Sequence, residues 1–351
     1  MNKYKDIITS ELICVFNKRQ NSNSKIKIPR KLASIELGLG TWGLELGAFI
    51  KCSNFLNIKF ILLFLILTGS SFIFQSCEKD ITLDLPKAED KIVVEGWIEN
   101  GQCASVILSR NSSYFDPINQ STIQHMFNVD AVVTVREIET GTQEVLVKTL
   151  NLQTIPPVMY KGSTLKGKLN HHYSLTIAID GKELTASTSI KDTVPLDSTW
   201  FIIEPRYDTL GLLWIKFQDP PEPGNYYRVF TKRLSKDKSF IPVWGSVYDD
   251  AFFNGELIEY AFYKGTNFYA PTPTDETAAD YYFQIGDTIV TKFSVVDKVH
   301  FDFWRTYENA VFSGGNPFAT PSTIFSNITG GLGVWGGYAS VYDTIIAKAT
   351  P

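Results

Sequence analysis

Between residues 91 and 189 the chain reads as three strand pairs, each closed on a glycine turn, and this spacing constrains the fold more than any other feature. KIVVEGWIEN and CASVILSR flank Asn100-Gly101; Ala131 to Glu137 and Gln143 to Leu150 flank Glu139-Thr140-Gly141; Tyr173 to Asp180 and Glu183 to Ser189 flank Asp180-Gly181. Each run is rich in β-branched and aromatic residues, and glycine or asparagine at the junction supplies the backbone freedom of a tight hairpin. No helical period of any length interrupts them. Strands at such intervals predict an immunoglobulin-like β-sandwich over residues 91–192, close to the ~100 residues usual for that fold.

At IKDTVPLDS, Ile190 to Ser198, apolar content falls and a proline appears, which marks a boundary. A second β-rich, sandwich-like domain is expected over 198–351. TWFIIEPRY and GLLWIKFQDP open it, with Trp200, Ile202, Leu212, Trp214 and Phe217 expected to be buried. One helix is expected near 297–312, with Asp297 as cap, Val299, Phe303, Tyr307, Ala310 and Val311 on one face, and Gly314-Gly315 as the stop. The tail from Thr323 to Ile346 mixes strand sequence with glycines and is expected to return to the second sheet. The fold class is therefore mostly β, two sandwich-like domains with one helix.

Location is read further upstream. After Lys59, the fifteen residues Phe60 to Phe74 carry no charge and are mostly Phe, Leu and Ile. A membrane-spanning helix needs about 20 apolar residues and a secretory core about 7 to 15, so 58–76 reads as a signal peptide. Ser76 precedes Cys77 as lipoprotein signal peptidase requires, and Cys77 is expected to become the lipidated first residue, with 77–90 as tether. Residues 1–57, rich in Lys and Arg as far as Lys31, read as a wrongly assigned leader with the true start near Leu56 or Ile58; the alternative, a cytoplasmic extension ahead of a signal anchor, would need a longer apolar run after Lys59. The expected location is the outer membrane, on its periplasmic or surface face, with the lipid as the membrane contact.

Beyond residue 76 the chain carries 23 Lys and Arg against 33 Asp and Glu, a net charge near −10. Such a surface does not displace counterions from phosphates, so no nucleic-acid partner is expected. Cys14 and Cys52 lie in the leader and Cys77 is the lipid site, which leaves Cys103 alone, with no disulfide and the character of a half-buried small hydrophobe.

No catalytic constellation stands out. Gly331-Leu-Gly333-Val-Trp-Gly336 fits the dinucleotide fingerprint, but that mechanism needs a helix after the glycines and YASVYDTII reads as a strand. Glycines that permit a bulge or close packing beside Trp335 are the expected role. His171 and His172 are adjacent and would point to opposite strand faces, a poor metal site; Asp249-Asp250 lack the EF-hand pattern and read as a solvated turn. No metal, cofactor or enzymatic activity is expected. Rings and carboxylates do concentrate in the loop-like stretches Asp249 to Gly255 and Thr266 to Pro273, and loops on a rigid β scaffold are where recognition residues lie. Tyr248, Phe252, Phe253, Phe268 and Tyr269 are the candidate contacts for a ligand or partner.

VVEGWI at Val93 to Ile98, DPPEPGNYYRV, DDAFFNG, and FWRTYENAVFSGGNPFATPSTIFSNITGGLGVWGGY from Phe303 to Tyr338 together resemble the Bacteroidetes lipoproteins grouped as domain of unknown function 4249. The resemblance covers Cys77 to about Tyr342. It implies an accessory role in outer-membrane uptake beside a TonB-dependent β-barrel receptor, and it supplies no catalytic residue. The function expected is a binding or accessory lipoprotein of such a system. The alternatives are a structural or adhesive surface module and, behind that, a hydrolase.

Overall fold

The computed structural model describes residues 91–111, 126–127, 129–151, 156–266, 277–313 and 323–349. The expected leader, signal peptide, tether and Cys77 lie outside the described residues. The first half contains β1 (Ile92–Glu99), β2 (Cys103–Arg110), β3 (Val132–Glu137), β4 (Gln143–Val145), β5 (Val147–Leu150), β6 (Val158–Lys166), β7 (His171–Ile179) and β8 (Lys182–Ile190). The turns carry the expected chemistry. Asp180 and Gly181 have φ of 49° and 72°, as a two-residue type I′ turn demands, and Gly101 and Gly141 are also left-handed. The single strand expected over Gln143 to Leu150 is two: β4 pairs with β3, the chain crosses at buried Leu146, and β5 pairs with β6 in the other sheet. The alternation in that run marks buried positions, not the sheet to which they belong.

The second half contains β9 (Ser198–Ile203), β10 (Leu210–Gln218), β11 (Tyr226–Arg233), β12 (Ile241–Asp249), β13 (Leu257–Phe262), β14 (Phe283–Gln284), β15 (Thr288–Val296), the helix α1 (Lys298–Ser313) and β16 (Leu332–Ile346). Its inward residues on β9 and β10 are Phe201, Leu213, Ile215 and Phe217. Phe217 is buried as expected, but Trp200, Ile202, Leu212 and Trp214 face outward, and Trp200 and Trp214 stack across the two strands with centroids 5.9 Å apart. TWFII and GLLWI are nearly continuous apolar runs, so either parity satisfies the sequence.

The two halves share one strand order. In the first, β1-β2-β6 and β4-β3-β7-β8 form the sheets; in the second, β9-β10-β13 and β12-β11-β15-β16 do. Both are mostly β and sandwich-like, with the Greek-key connectivity of the immunoglobulin type. The boundary at 192–198 separates these halves along the chain but does not separate their sheets. β16 pairs with β15 over Ala339–Ile346 and, over Leu332–Tyr338, runs parallel to β1, so one eight-stranded sheet spans both halves. All the described residues fall in one compact unit. Wholly buried Trp335, on the shared strand, donates its indole Nε1 to the Tyr173 carbonyl of the first half at 3.1 Å.

The glycine cluster is what lets β16 approach so closely. Gly333 has φ of +113° and a Cβ there would overlap the Val94 carbonyl, while at Gly337 it would meet the Ser189 carbonyl. This is close packing beside Trp335, with a strand where a nucleotide fold would place a helix. Helix α1 starts where expected: the Asp297 carboxylate accepts the His300 amide at 2.8 Å as an N-cap. The buried face comprises His300, Phe301, Phe303, Trp304, Tyr307 and Val311; Val299 is exposed and Ala310 half-buried, against expectation. The helix lies on β11, β12 and β16, on the face turned away from the sandwich interior, where Phe301 meets Tyr226.

Candidate functional site

The loop between β12 and β13 is held by two carboxylates that the sequence presents as ordinary surface groups. Asp250, 4% exposed, accepts the amides of Gly224 (2.7 Å) and Asn225 (2.8 Å) and the Asn225 side chain (3.2 Å). Asp219, 1% exposed at the end of β10, accepts the Gly255 amide (2.9 Å) and the Tyr227 hydroxyl. Burial first, and Asp219 second, push the Tyr227 hydroxyl far above its ordinary pKa, so it remains a donor. Asn254 Nδ2 donates to the Pro221 carbonyl at 3.0 Å, and Gly255 closes the loop in the left-handed region at φ +73°. A buried charge needs such a set of donors, and here they tie the loop to its neighbour: Asp250 takes the backbone of the β10–β11 turn, and Asp219 takes the loop's own Gly255 amide. Asp249-Asp250 is therefore no solvated turn: Asp250 is a brace.

The brace presents two adjacent rings in opposite ways. Phe253 is half-buried and packs on Phe217 and Tyr227, with centroids 6.3 Å and 6.4 Å away. Phe252 is 98% exposed. Tyr248, half-buried, meets Tyr260 and Phe262 edge-on at 5.3 Å and 5.6 Å. Beside Phe253 a cavity of about 340 Å³ opens between the two sheets along β12 and β13, walled by Tyr248, Phe253, Ile258, Tyr260 and Phe262. Glu259 at its wall pairs with Lys216 at 2.8 Å. The structure thus gathers Tyr248, Phe252 and Phe253 at one end of the second sandwich. Phe268 and Tyr269 lie outside the described residues.

Sequence reasoning missed a polar layer beneath α1. Arg228, 3% exposed, lies over the Trp304 ring at 3.4 Å and donates to the Tyr338 hydroxyl. Lys292 pairs with Glu99 under the Tyr342 hydroxyl, and Ser246 donates to Glu308 from both its amide and its hydroxyl. Burial, and then the Arg228 charge, hold His300 well below the ordinary imidazole range, so its ring is neutral. A Cβ at Gly336 would overlap that ring, which gives the third fingerprint glycine its purpose. These groups neutralise one another, and their work is to hold the helix on the sheet. His171 and His172 each sit against a carboxylate, Glu137 at 2.6 Å and Glu139 at 2.7 Å. Among the described residues no three His, Cys, Asp or Glu converge as a metal site.

Fold and site together define a β-sandwich protein of two like-ordered halves with a braced aromatic loop on the second. The family model for the domain of unknown function DUF4249 matches residues 78–343, and the chain belongs to that family. No curated protein matches the sequence. Among solved structures, the crystal structure of chicken CNTN1 FN1-FN3 domains is similar at 11% identity, over 76% of this chain and 69% of that one, with a TM-score of 0.18.

Proposed function

We propose that the protein is a lipid-anchored binding or accessory component of the outer membrane, working beside a TonB-dependent uptake barrel and meeting its partner through the 249–255 loop. The observation that carries this reading is Phe252, 98% exposed on a loop whose backbone is fixed by two buried carboxylates. Leaving a Phe side chain in water forgoes about 1.5–3 kcal/mol of burial, and a rigid loop loses little freedom when it docks. Exposed aromatics on preorganised loops have the properties of interface anchors. The apolar run ending at Cys77 supports the membrane anchor, and membership of the family supports the uptake setting through the Bacteroidetes lipoproteins that the sequence resembles.

The test is co-purification from detergent extracts. A large β-barrel should accompany the wild-type protein, Phe252→Ala should lose it, and deletion of the gene should abolish growth on one nutrient. Cys77→Ala should release the protein from the membrane fraction. A barrel retained in full by Phe252→Ala would place docking elsewhere; no barrel and no growth defect would favour a structural or adhesive role.

A further inference from the structure

A recess of about 340 Å³, open to solvent at its mouth, enters the second sandwich between its sheets. An apolar cavity of about 150 Å³ is enough to hold benzene, so this one has room for two rings. Seven of its twelve lining residues are aromatic, among them Phe217 and Phe293 at the back and Tyr248 and Tyr260 on the two strands that flank the opening. Rings set edge to face, as Tyr248 is to Tyr260 and Phe262, form the walls that flat aromatic molecules pack against. Glu259 is the one charged residue of the lining and is already paired with Lys216, so the recess offers no free cation to an anionic ligand. The Tyr248 hydroxyl is partly open to solvent at this wall, and burial pushes its pKa far up, so it stays a donor. An acceptor on a ligand in the recess would take the place of solvent on that hydroxyl.

We propose that this cavity binds a neutral, two-ring apolar molecule of about ten to fifteen non-hydrogen atoms, carrying one carbonyl or ether oxygen that accepts a hydrogen bond from Tyr248. The ligand enters between β12 and β13 with its rings against Phe217, Phe253 and Phe262. This site is separate from docking through Phe252, whose ring takes no part in the cavity wall.

Benzophenone has the required size, rings, neutrality and carbonyl, and it labels C–H bonds on irradiation. Irradiated with detergent-purified full-length protein, it should give saturable labelling mapped by mass spectrometry to the strands lining the cavity. Ile258→Trp, which fills the cavity, should cut labelling at least about tenfold. Tyr248→Phe, which keeps the ring, should weaken half-saturation by about three- to tenfold for benzophenone and leave diphenylmethane competition unchanged. Phe252→Ala should leave labelling intact even where it abolishes barrel capture. Unsaturable labelling spread over the surface, or labelling indifferent to both Ile258→Trp and Tyr248→Phe, would overturn the proposal; if Ile258→Trp fails to fold, Tyr248→Phe decides alone.

Discussion

The two sandwiches leave the same seam and treat it differently. In each, an edge strand of one sheet faces a strand of the other: the three-residue β4 faces β6, which has β5 beyond it, in the first half, and the nine-residue β12 faces the edge strand β13 in the second. In the first half the seam is closed by the chain crossing at buried Leu146 and by one polar side chain beside it. The Glu144 carboxylate on β4 accepts the amides of Ser163 (2.6 Å), Thr164 (3.0 Å) and Leu165 (2.8 Å) on β6. In the second half the corresponding strands carry Tyr248 and Tyr260, and the cavity lies between them. One strand order thus gives a closed module where a polar clamp crosses the seam and a recessed aromatic wall where rings stand instead. What occupies the seam, not the strand order, decides whether it is clamped or recessed.

The comparison breaks most sharply at the shared strand. Trp335→Ala removes a fully buried indole that anchors β16 to the first half, and a loss of about 3–5 kcal/mol is expected. Urea unfolding followed by near-UV signals should show both halves melting together; separate transitions would make them independent domains. The next effect belongs to the helix layer of the second half alone. His300 is held neutral in the fold, whereas its unfolded pKa is about 6.5. Stability should therefore be constant above that pH and fall as pH drops below it, by about 1.4 kcal/mol per pH unit, because only the unfolded chain takes up the proton. His300→Phe should flatten that slope relative to wild type; equal slopes between pH 7.5 and 5.5 would remove His300 from the account.

The seam clamp comes third. Burial pushes the Glu144 carboxyl up, but the Leu165, Ser163 and Thr164 amides and the Ser163 hydroxyl outweigh it and bring the pKa to about 2. Its contribution is present above the ordinary carboxylate range and disappears as pH falls through about 2. Glu144→Gln should cost about 1 kcal/mol at neutral pH, discounted for the solvent that reaches the group, and calorimetry at pH 7 and pH 2.5 should show the difference shrinking. Phe252→Ala should have the smallest effect on stability, under about 0.5 kcal/mol by denaturant midpoint, since its ring touches almost nothing. A larger loss would mean that the ring supports the loop.

Much of the fold was legible because local chemistry dictates it. Asp180-Gly181 can close a hairpin in few ways, and Asp297 before an apolar face signals a helix start. What escaped was set by distance. The glycines of β16 announce close packing, but nothing local says that Val94 is the neighbour. Trp200 and Trp214 satisfy each other on the outer face, so hydrophobicity alone misassigns them. The candidate site was legible as an aromatic loop, and Phe252 is exposed there, but Asp219 and Asp250 look like solvated acids until their amide donors are located. The cavity has no sequence signature, because it is a space between residues far apart in the chain.

The parallel pairing of β1 with β16 also fixes an order of events. Val93 leaves the ribosome long before its register partner Leu332, and at about 5–20 residues per second the interval is on the order of tens of seconds. Throughout it, β1 has an open edge with Val94 and Ile98 alongside. The first of the described strands to be made is among the last to be covered, so β1 completes its pairing only when β16 arrives.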